Sequence, residues 1–335
     1  MFDFISYAIP IEEYPVVKII GVGGGGCAAV ANMQKEIGTS SWECTVTQYI
    51  ALDTDANSLR SSCISTSLLL GNHLCQGVGT AGNPELGYRA ALADCERIRE
   101  LLTGADLVAI VIGLGGGTGS GVAPLVAKLA QELNTPITMA VVTLPHIIEG
   151  EQHMRRAQLA AEALSLQADS LIVIPNDRLW PVREAFYERQ NSMMLNAVRH
   201  PIEMFTVQDM IGVDFADVRT VMHSSSNAGL GIGYANGINR AQRAVELALV
   251  HPLLENIDFS RVCGGLIKIT AGFDLSLDEF WVVSHTLRTQ FPCATGTLVI
   301  GVKIVPEMQD MCVTMLLTQE GGSELTNLLN NIRGR

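Results

Sequence analysis

A glycine run set between a strand and a helix constrains this chain more than any other feature. The stretch GLGGGTGSG, Gly113 to Gly121, follows the apolar run Leu107 to Ile112 and precedes a helix-forming segment, Val122 to Leu133. A strand, a glycine turn and a helix in that order suit an anion. Glycines let successive backbone N–H groups approach it closely, and the helix start adds a favourable dipole. The loop holds no lysine. That absence excludes the Walker pattern GxxxxGK[ST] and leaves neutralisation to backbone amides and a metal.

A second glycine segment lies earlier. Val16 to Ile20 reads as a buried strand, and Gly21 to Gly26 follows it into a helical pattern that reaches about Ile37. Taken alone, Gly21, Gly23 and Gly26 satisfy GxGxxG, and Asp53 after the next apolar run suits a ribose. A nicotinamide or flavin enzyme therefore stays open from this loop. A dinucleotide site, however, has no use for GGGTGSG on a later strand, whereas two loops from one sheet can clasp one polyphosphate.

The net charge of −12, without a cluster of lysine or arginine, argues against nucleic acid or an anionic membrane as the main partner. No N-terminal signal pattern and no membrane-length apolar run are seen, so a soluble cytoplasmic protein is expected, without direct membrane insertion. The eight cysteines form no CxxC pair, so neither a zinc site nor a disulfide framework is indicated. Reduced, buried thiols are expected. Cys27 is the exception, because a helix N-terminus beside a phosphate loop can lower a thiol pKa.

Strands are expected at Val16 to Ile20, Thr45 to Leu52, Leu107 to Ile112, Ile137 to Thr143 and Ser170 to Pro175, with helical patterns between them. This alternation is that of an α/β, doubly wound parallel sheet, which binds ligands at the carboxyl ends of its strands. Asp53 to Asp55, Gly113 to Gly121, Leu144 to Glu149 and Pro175 to Asp177 all fall at such ends. Beyond a helical stretch from about Arg183 to Asp209, interrupted by Pro201, strands are expected at Gly229 to Ala235, Gly264 to Thr270, Gly296 to Val305 and Met311 to Thr318. Helices are expected at Ile238 to Val250 and Leu277 to Thr289. The division expected is an N-terminal extension (1–14), a nucleotide domain (15–182), a long central helix (183–210), a second, smaller α/β domain (211–318) and a tail (319–335).

The motif GGGTGSG matches the tubulin/FtsZ nucleotide signature. Ser170 to Leu179 (SLIVIPNDRL), Val213 to Met222 (VDFADVRTVM) and Ile269 to Leu275 (ITAGFDL) resemble bacterial FtsZ almost word for word, and the likeness covers about residues 15 to 318. The resemblance implies a GTPase that binds GTP or GDP with Mg2+ and assembles head to tail into protofilaments. Its acids would come from the second domain of the next subunit, and its role would be in cell division. Further partners implied are another FtsZ and division adaptors.

Carried over residue by residue, the amides of Gly23, Gly24, Gly25 and Gly26 and of Gly115, Gly116, Gly117 and Gly119 would cradle the phosphates, with a hydroxyl from Thr118. Asp55 would lie near magnesium and the γ-phosphate, and Glu149 at the ribose. Asn176 and Asn191 would read the guanine edge, and Tyr187 would stack on its face. Tyr187 and Asn191 are four apart, so a helix presents both on one side. Asp214 and Asp217 would be catalytic, orienting the attacking water on the neighbour's γ-phosphate.

Without the resemblance, Asp217 reads as an acid complementing a helix start, Tyr187 as core, and Glu149 and Asn176 as turn residues. Several positions depart from the family pattern. Ala28, preceded by Cys27, replaces a base-contacting asparagine. Asp53 adds a negative charge near the polyphosphate. His153, followed by Arg155 and Arg156, replaces an arginine that would contact phosphate or ribose. Gly212 replaces an asparagine before the acidic pair, and Pro201 falls inside the expected central helix. No long linker or acidic-apolar peptide of the kind that reaches membrane adaptors is seen after residue 318. The departures keep open a structural or regulatory filament that binds nucleotide with little hydrolysis. An oxidoreductase resting on GxGxxG and Asp53 is the remaining alternative.

Overall fold

The computed structural model describes residues 15–37, 46–176, 211, 213–223, 227–254, 257–292 and 298–319. The N-terminal extension, the stretch expected to be a central helix, and the tail beyond Gln319 lie outside the described residues. Among the described residues, ten strands form one sheet in the order β3-β2-β1-β4-β5-β6-β7-β10-β8-β9. In chain order they are β1 (Val16–Val22), β2 (Val46–Asp53), β3 (Thr66–Leu69), β4 (Leu107–Gly113), β5 (Ile137–Leu144), β6 (Ser170–Pro175), β7 (Asn227–Ala235), β8 (Val262–Ala271), β9 (Leu298–Ile304) and β10 (Met311–Gln319). Pairs from β3 to β7 are parallel, β10 runs antiparallel to β7 and β8, and β8 pairs parallel with β9.

The helices among the described residues are α1 (Gly23–Ile37), α2 (Ala56–Ser62), α3 (Asn72–Cys75), α4 (Pro84–Ala93), α5 (Cys95–Leu102), α6 (Gly117–Glu132), α7 (Glu151–Ser165), α8 (Phe215–His223), α9 (Arg240–Leu249) and α10 (Leu277–Gln290). Parallel strands covered on both faces read as continuous apolar runs, and β5 is buried at all eight positions. Alternate residues of one strand feed opposite faces. Ile19 packs with Val30 and Met33 of α1, while Ile20 packs with Ala90 of α4, Ile98 of α5 and Val122 of α6. Val218, Val221 and Met222 of α8 join the α1 face. The second half has its own core around Val283, Leu287 and Phe291.

The structure corrects two helix starts. Val122 is not the beginning of a helix, because α6 already starts at Gly117, and the loop expected at Gly21 to Gly26 is strand as far as Val22 and helix from Gly23. Glycine is a poor helix former, so propensity places these residues in loops. Packing overrides it. A Cβ on Gly26 would stand 2.2 Å from the Val111 carbonyl oxygen, and one on Gly121 2.1 Å from that of Pro84. Only residues without side chains let α1 press onto β4 and α6 onto α4. The four-residue edge strand β3 was not expected, being too short to show alternation.

Local chemistry fixes the other starts. The Asn83 side chain accepts from Glu85 and Leu86 N–H while Pro84 opens α4, and Ser276 with Glu279 forms a capping box on α10. Lys18 reaches from β1 to donate to the Leu101 and Thr103 carbonyls at the end of α5. Buried Arg240 bonds Glu279, Asp274 and the Gln309 carbonyl, tying three loops of the second half together. It holds the Glu279 and Asp274 carboxyls below the usual carboxylate range.

Gly121→Ala is expected to destabilise the fold by about 1–3 kcal/mol, the usual cost of forcing extra volume into close-packed backbone. Urea unfolding measures it, and an unchanged midpoint would sink the packing account.

Candidate functional site

The C-terminal ends of the parallel strands gather three glycine segments. Two open helices, α1 and α6, whose first N–H groups have no partner inside the helix. The cap of α6, Gly116, makes no side-chain capping bond. The two starts abut: Gly23, at φ +70°, would place a Cβ 3.0 Å from the Gly119 nitrogen. The third segment, Gly77 to Asn83, escaped the sequence reading. Gln76, Gly77, Gly79, Ala81 and Gly82 all have positive φ there, and the alternation of Gly with turn residues in GVGTAGN was the signal.

The structure divides the expected cradle. Gly24, Gly25 and Gly116 are exposed, and a Cβ on Gly116 would meet nothing within 4 Å. These backbones stand open to solvent at the C-terminal ends of β1 and β4. Gly26, Gly117 and Gly119 are buried, and a Cβ on each would strike the Val111 carbonyl, Thr80 Oγ1 or the Gly113 carbonyl. Their lack of a side chain serves packing. Gly115, at φ +100°, is buried against Pro145 and the His153 carbonyl, and its N–H donates to Ser120 Oγ.

Thr118 is nine-tenths buried, and its hydroxyl lies 2.6 Å from Thr54 Oγ1 and 3.5 Å from Thr80 Oγ1. The hydroxyl thus joins the segments that follow β2, β3 and β4. Thr54 and Thr80 were missed by the sequence reading. Asp55 caps α2, its Oδ1 accepting from Asn57 N–H at 2.7 Å, and its backbone bridges to Val78 of the third segment. Among the described residues, its hydrogen bonds are made through Oδ1.

Asp53, expected to add a negative charge near the polyphosphate, is almost wholly enclosed. It is buried, accepts from the Thr54 and Asp55 N–H groups, and burial pushes its carboxyl above the ordinary value. Cys27 is likewise corrected. Burial, and then Asp53, push its thiol up to about 12, and the thiol faces the Gly21 and Leu52 carbonyls. Desolvation outweighs the helix dipole here.

Glu149 ends a short 3-10 turn, Ile147–Glu149, where its Oε1 accepts from His146 N–H at 2.7 Å. His153 Nδ1 lies 2.9 Å from the Glu149 carbonyl oxygen. At the end of β6, Asn176 Oδ1 is buried without a hydrogen-bond partner among the described residues. A buried orphan amide oxygen calls for a donor, and a base edge offers one. Tyr187, Asn191, Pro201 and Gly212 lie outside the described residues.

Asp214 and Asp217 stand elsewhere. Asp214 Oδ1 accepts from Asp217 N–H at 2.7 Å, capping α8, so the capping reading falls on Asp214 and the dipole-complementing one on Asp217. The far end of α8 is anchored by His223, with Nε2 2.9 Å from the Pro136 carbonyl and Nδ1 3.3 Å from Asp169. Those residues precede β5 and β6, at the edge of the sheet opposite the glycines. A nine-residue helix spans roughly 13 Å, whereas seven-residue β4 spans about 23 Å. The pair therefore cannot meet the crevice of its own chain.

Residues 16–183 match the model of the tubulin/FtsZ family GTPase domain, and residues 226–320 that of the FtsZ family C-terminal domain. The chain belongs to the tubulin/FtsZ family. The cell division protein FtsZ of Buchnera aphidicola from Acyrthosiphon pisum is 40% identical to it, over 97% of this chain and 84% of that one. That of Haemophilus influenzae is 40% identical over 92% of this chain and 79% of its own. A solved FtsZ dimer of M. jannaschii, 33% identical, superposes with a TM-score of 0.82 over 92% of this chain and 88% of that one. As a tubulin/FtsZ GTPase, the protein binds GTP and GDP and self-associates into filaments.

Within that family frame, Ala28 is exposed beside Gly24 and Gly25, so the departure from asparagine falls on the crevice surface. Two outcomes are expected. Gly116→Ala lowers GTP affinity roughly tenfold, the size of one lost charge-assisted hydrogen bond, and leaves urea stability unchanged; equal affinity would remove Gly116 from the cradle. Burial hides Cys27 and pushes its thiol up, so at pH 8 iodoacetamide labels exposed Cys63 first. Equally fast labelling of Cys27 in the folded protein would contradict its burial.

Proposed function

We propose that this cell-division GTPase completes its active site between two copies of the chain, one offering the glycine crevice and the next offering Asp214 and Asp217. The observation that carries this is the placement of the acidic pair on a helix anchored at the sheet edge opposite the crevice. Head-to-tail stacking brings those two edges together, and neither copy is then a complete enzyme.

The open backbones of Gly24, Gly25 and Gly116, with the first-turn amides of α1 and α6, would hold the phosphates. Glu149 would meet the ribose, His153 would stand beside it on α7, and Asn176, with Asn191, would take the base edge under Tyr187. Among the described residues no group of three or more His, Cys, Asp or Glu forms a metal cage. Mg2+ suits such a site, since it is commonly held by substrate phosphates and one or two carboxylates. Asp55 offers one, and the metal would neutralise phosphate charge.

On the incoming copy, Asp214 and Asp217 would orient a water in line with the γ-phosphorus and accept its proton as the bond to the β–γ bridging oxygen breaks. Phosphoryl transfer asks chiefly for positioning and charge stabilisation, which two carboxylates supply. Hydrolysis is then conditional on assembly. Among the described residues no helix is long and apolar enough to cross a membrane, and we place the protein in the cytoplasm at the division site, recruited by adaptors. Ala28 and His153 favour, as the second reading, a filament that turns nucleotide over slowly.

The test is phosphate release against protein concentration with Mg2+, for the parent and for Asp214→Asn. Asparagine keeps the oxygen that caps α8, so the variant is expected to bind GTP and assemble while turnover per assembled subunit falls roughly 100-fold. Parent activity that rises steeply with assembly supports the shared site. Unchanged turnover in the variant would dismiss Asp214, and background release from the parent at every concentration would favour the slow filament.

A further inference from the structure

We propose that Arg156 is the cation of this nucleotide site and reads the terminal phosphate of the triphosphate. The inference rests on the reading that GTP occupies the glycine crevice. None of the three glycine segments contains a lysine or arginine, and Asp55 stands beside the third, a Cβ on Gly79 lying 3.8 Å from its Cβ. A polyphosphate placed there needs positive charge beyond amide dipoles. His153, at the position where the family carries arginine, has its ring turned back to the Glu149 carbonyl.

Arg156 lies one turn further along α7, on the same side as His153. A Cβ on Gly115 of the second glycine segment would stand 3.1 Å from the His153 carbonyl oxygen, and one on Gly82 of the third 3.1 Å from Arg156 Nη1. The first turns of α7 thus run along the rim from one segment to the other, with the guanidinium at the far end. Arg156 is half-buried, and among the described residues it makes no ion pair, whereas neighbouring Arg155 is exposed.

The order of the strands says which phosphate it meets. Asn176 ends β6, Gly116 follows β4, Gly24 follows β1, and Asp55 with the third segment lies beyond β2, successive positions in β6-β5-β4-β1-β2-β3. With the base at Asn176, the phosphate chain runs toward β2, and its last phosphate reaches Asp55 and Gly77 to Gly82. The planar guanidinium at Gly82 offers two parallel donors to that group. GDP stops short of it.

Equilibrium binding of GTP and of GDP, at protein concentrations below assembly, tests this for the parent, Arg156→Ala, Arg156→Lys and Arg155→Ala. Arg156→Ala is expected to lose at least about tenfold in GTP affinity with GDP affinity nearly kept, the size of one charge-assisted contact. Arg156→Lys retains part of the preference and Arg155→Ala all of it. Equal losses for both nucleotides, or no loss, would overturn the assignment while leaving the crevice reading in place. A parent protein that binds neither nucleotide would overturn both.

Discussion

Backbone pressed directly against backbone is the constraint on which this structure depends. Gly26 lies on the Val111 carbonyl, Gly119 on that of Gly113, Gly121 on that of Pro84, and Gly23 on the nitrogen of Gly119. Any side chain at these points would separate α1 and α6 from the strand ends and from α4. Because none is present, the two helix N-termini converge, each with first-turn N–H groups that have no partner inside its own helix.

Polar contacts then hold the loops in register. The hydroxyls of Thr54, Thr80 and Thr118 meet beneath the crevice, Ser120 accepts from Gly115, and buried Asp53 gathers the Thr54 and Asp55 N–H groups. Buried polar groups are costly unless partnered, so such networks favour one arrangement over its neighbours. Asp55 joins capping of α2 to a backbone bridge with Val78, which fixes the third segment beside that helix start.

The separation of the acidic pair from the crevice follows from how α8 is held. Val218, Val221 and Met222 bury its apolar face in the core shared with α1, while His223 pins its end at the starts of β5 and β6. The nucleotide surface and the acidic surface are in consequence opposite edges of one sheet. A chemistry that needs both is a property of the filament.

Much of the nucleotide half was legible in the amino-acid order, because parallel strands buried on both faces leave unbroken apolar runs such as Leu107 to Ile112, and glycines mark where those strands give way to helices. The positions of Asp53 to Asp55, Glu149 and Asn176 at strand ends follow from the same alternation. Tertiary structure alone decided the rest. Gly117 to Gly121 is helix because packing on α4 outweighs glycine's poor propensity, the Cys27 thiol is pushed up because burial outweighs a helix dipole, and Thr118 faces Thr54. The edge strand β3 and the segment Gly77 to Asn83 acquire meaning only when chain folding brings them beside Asp55. Periodicity records which residues are buried; which loops become neighbours depends on how strands are ordered in the sheet, and local sequence carries no signal of that order.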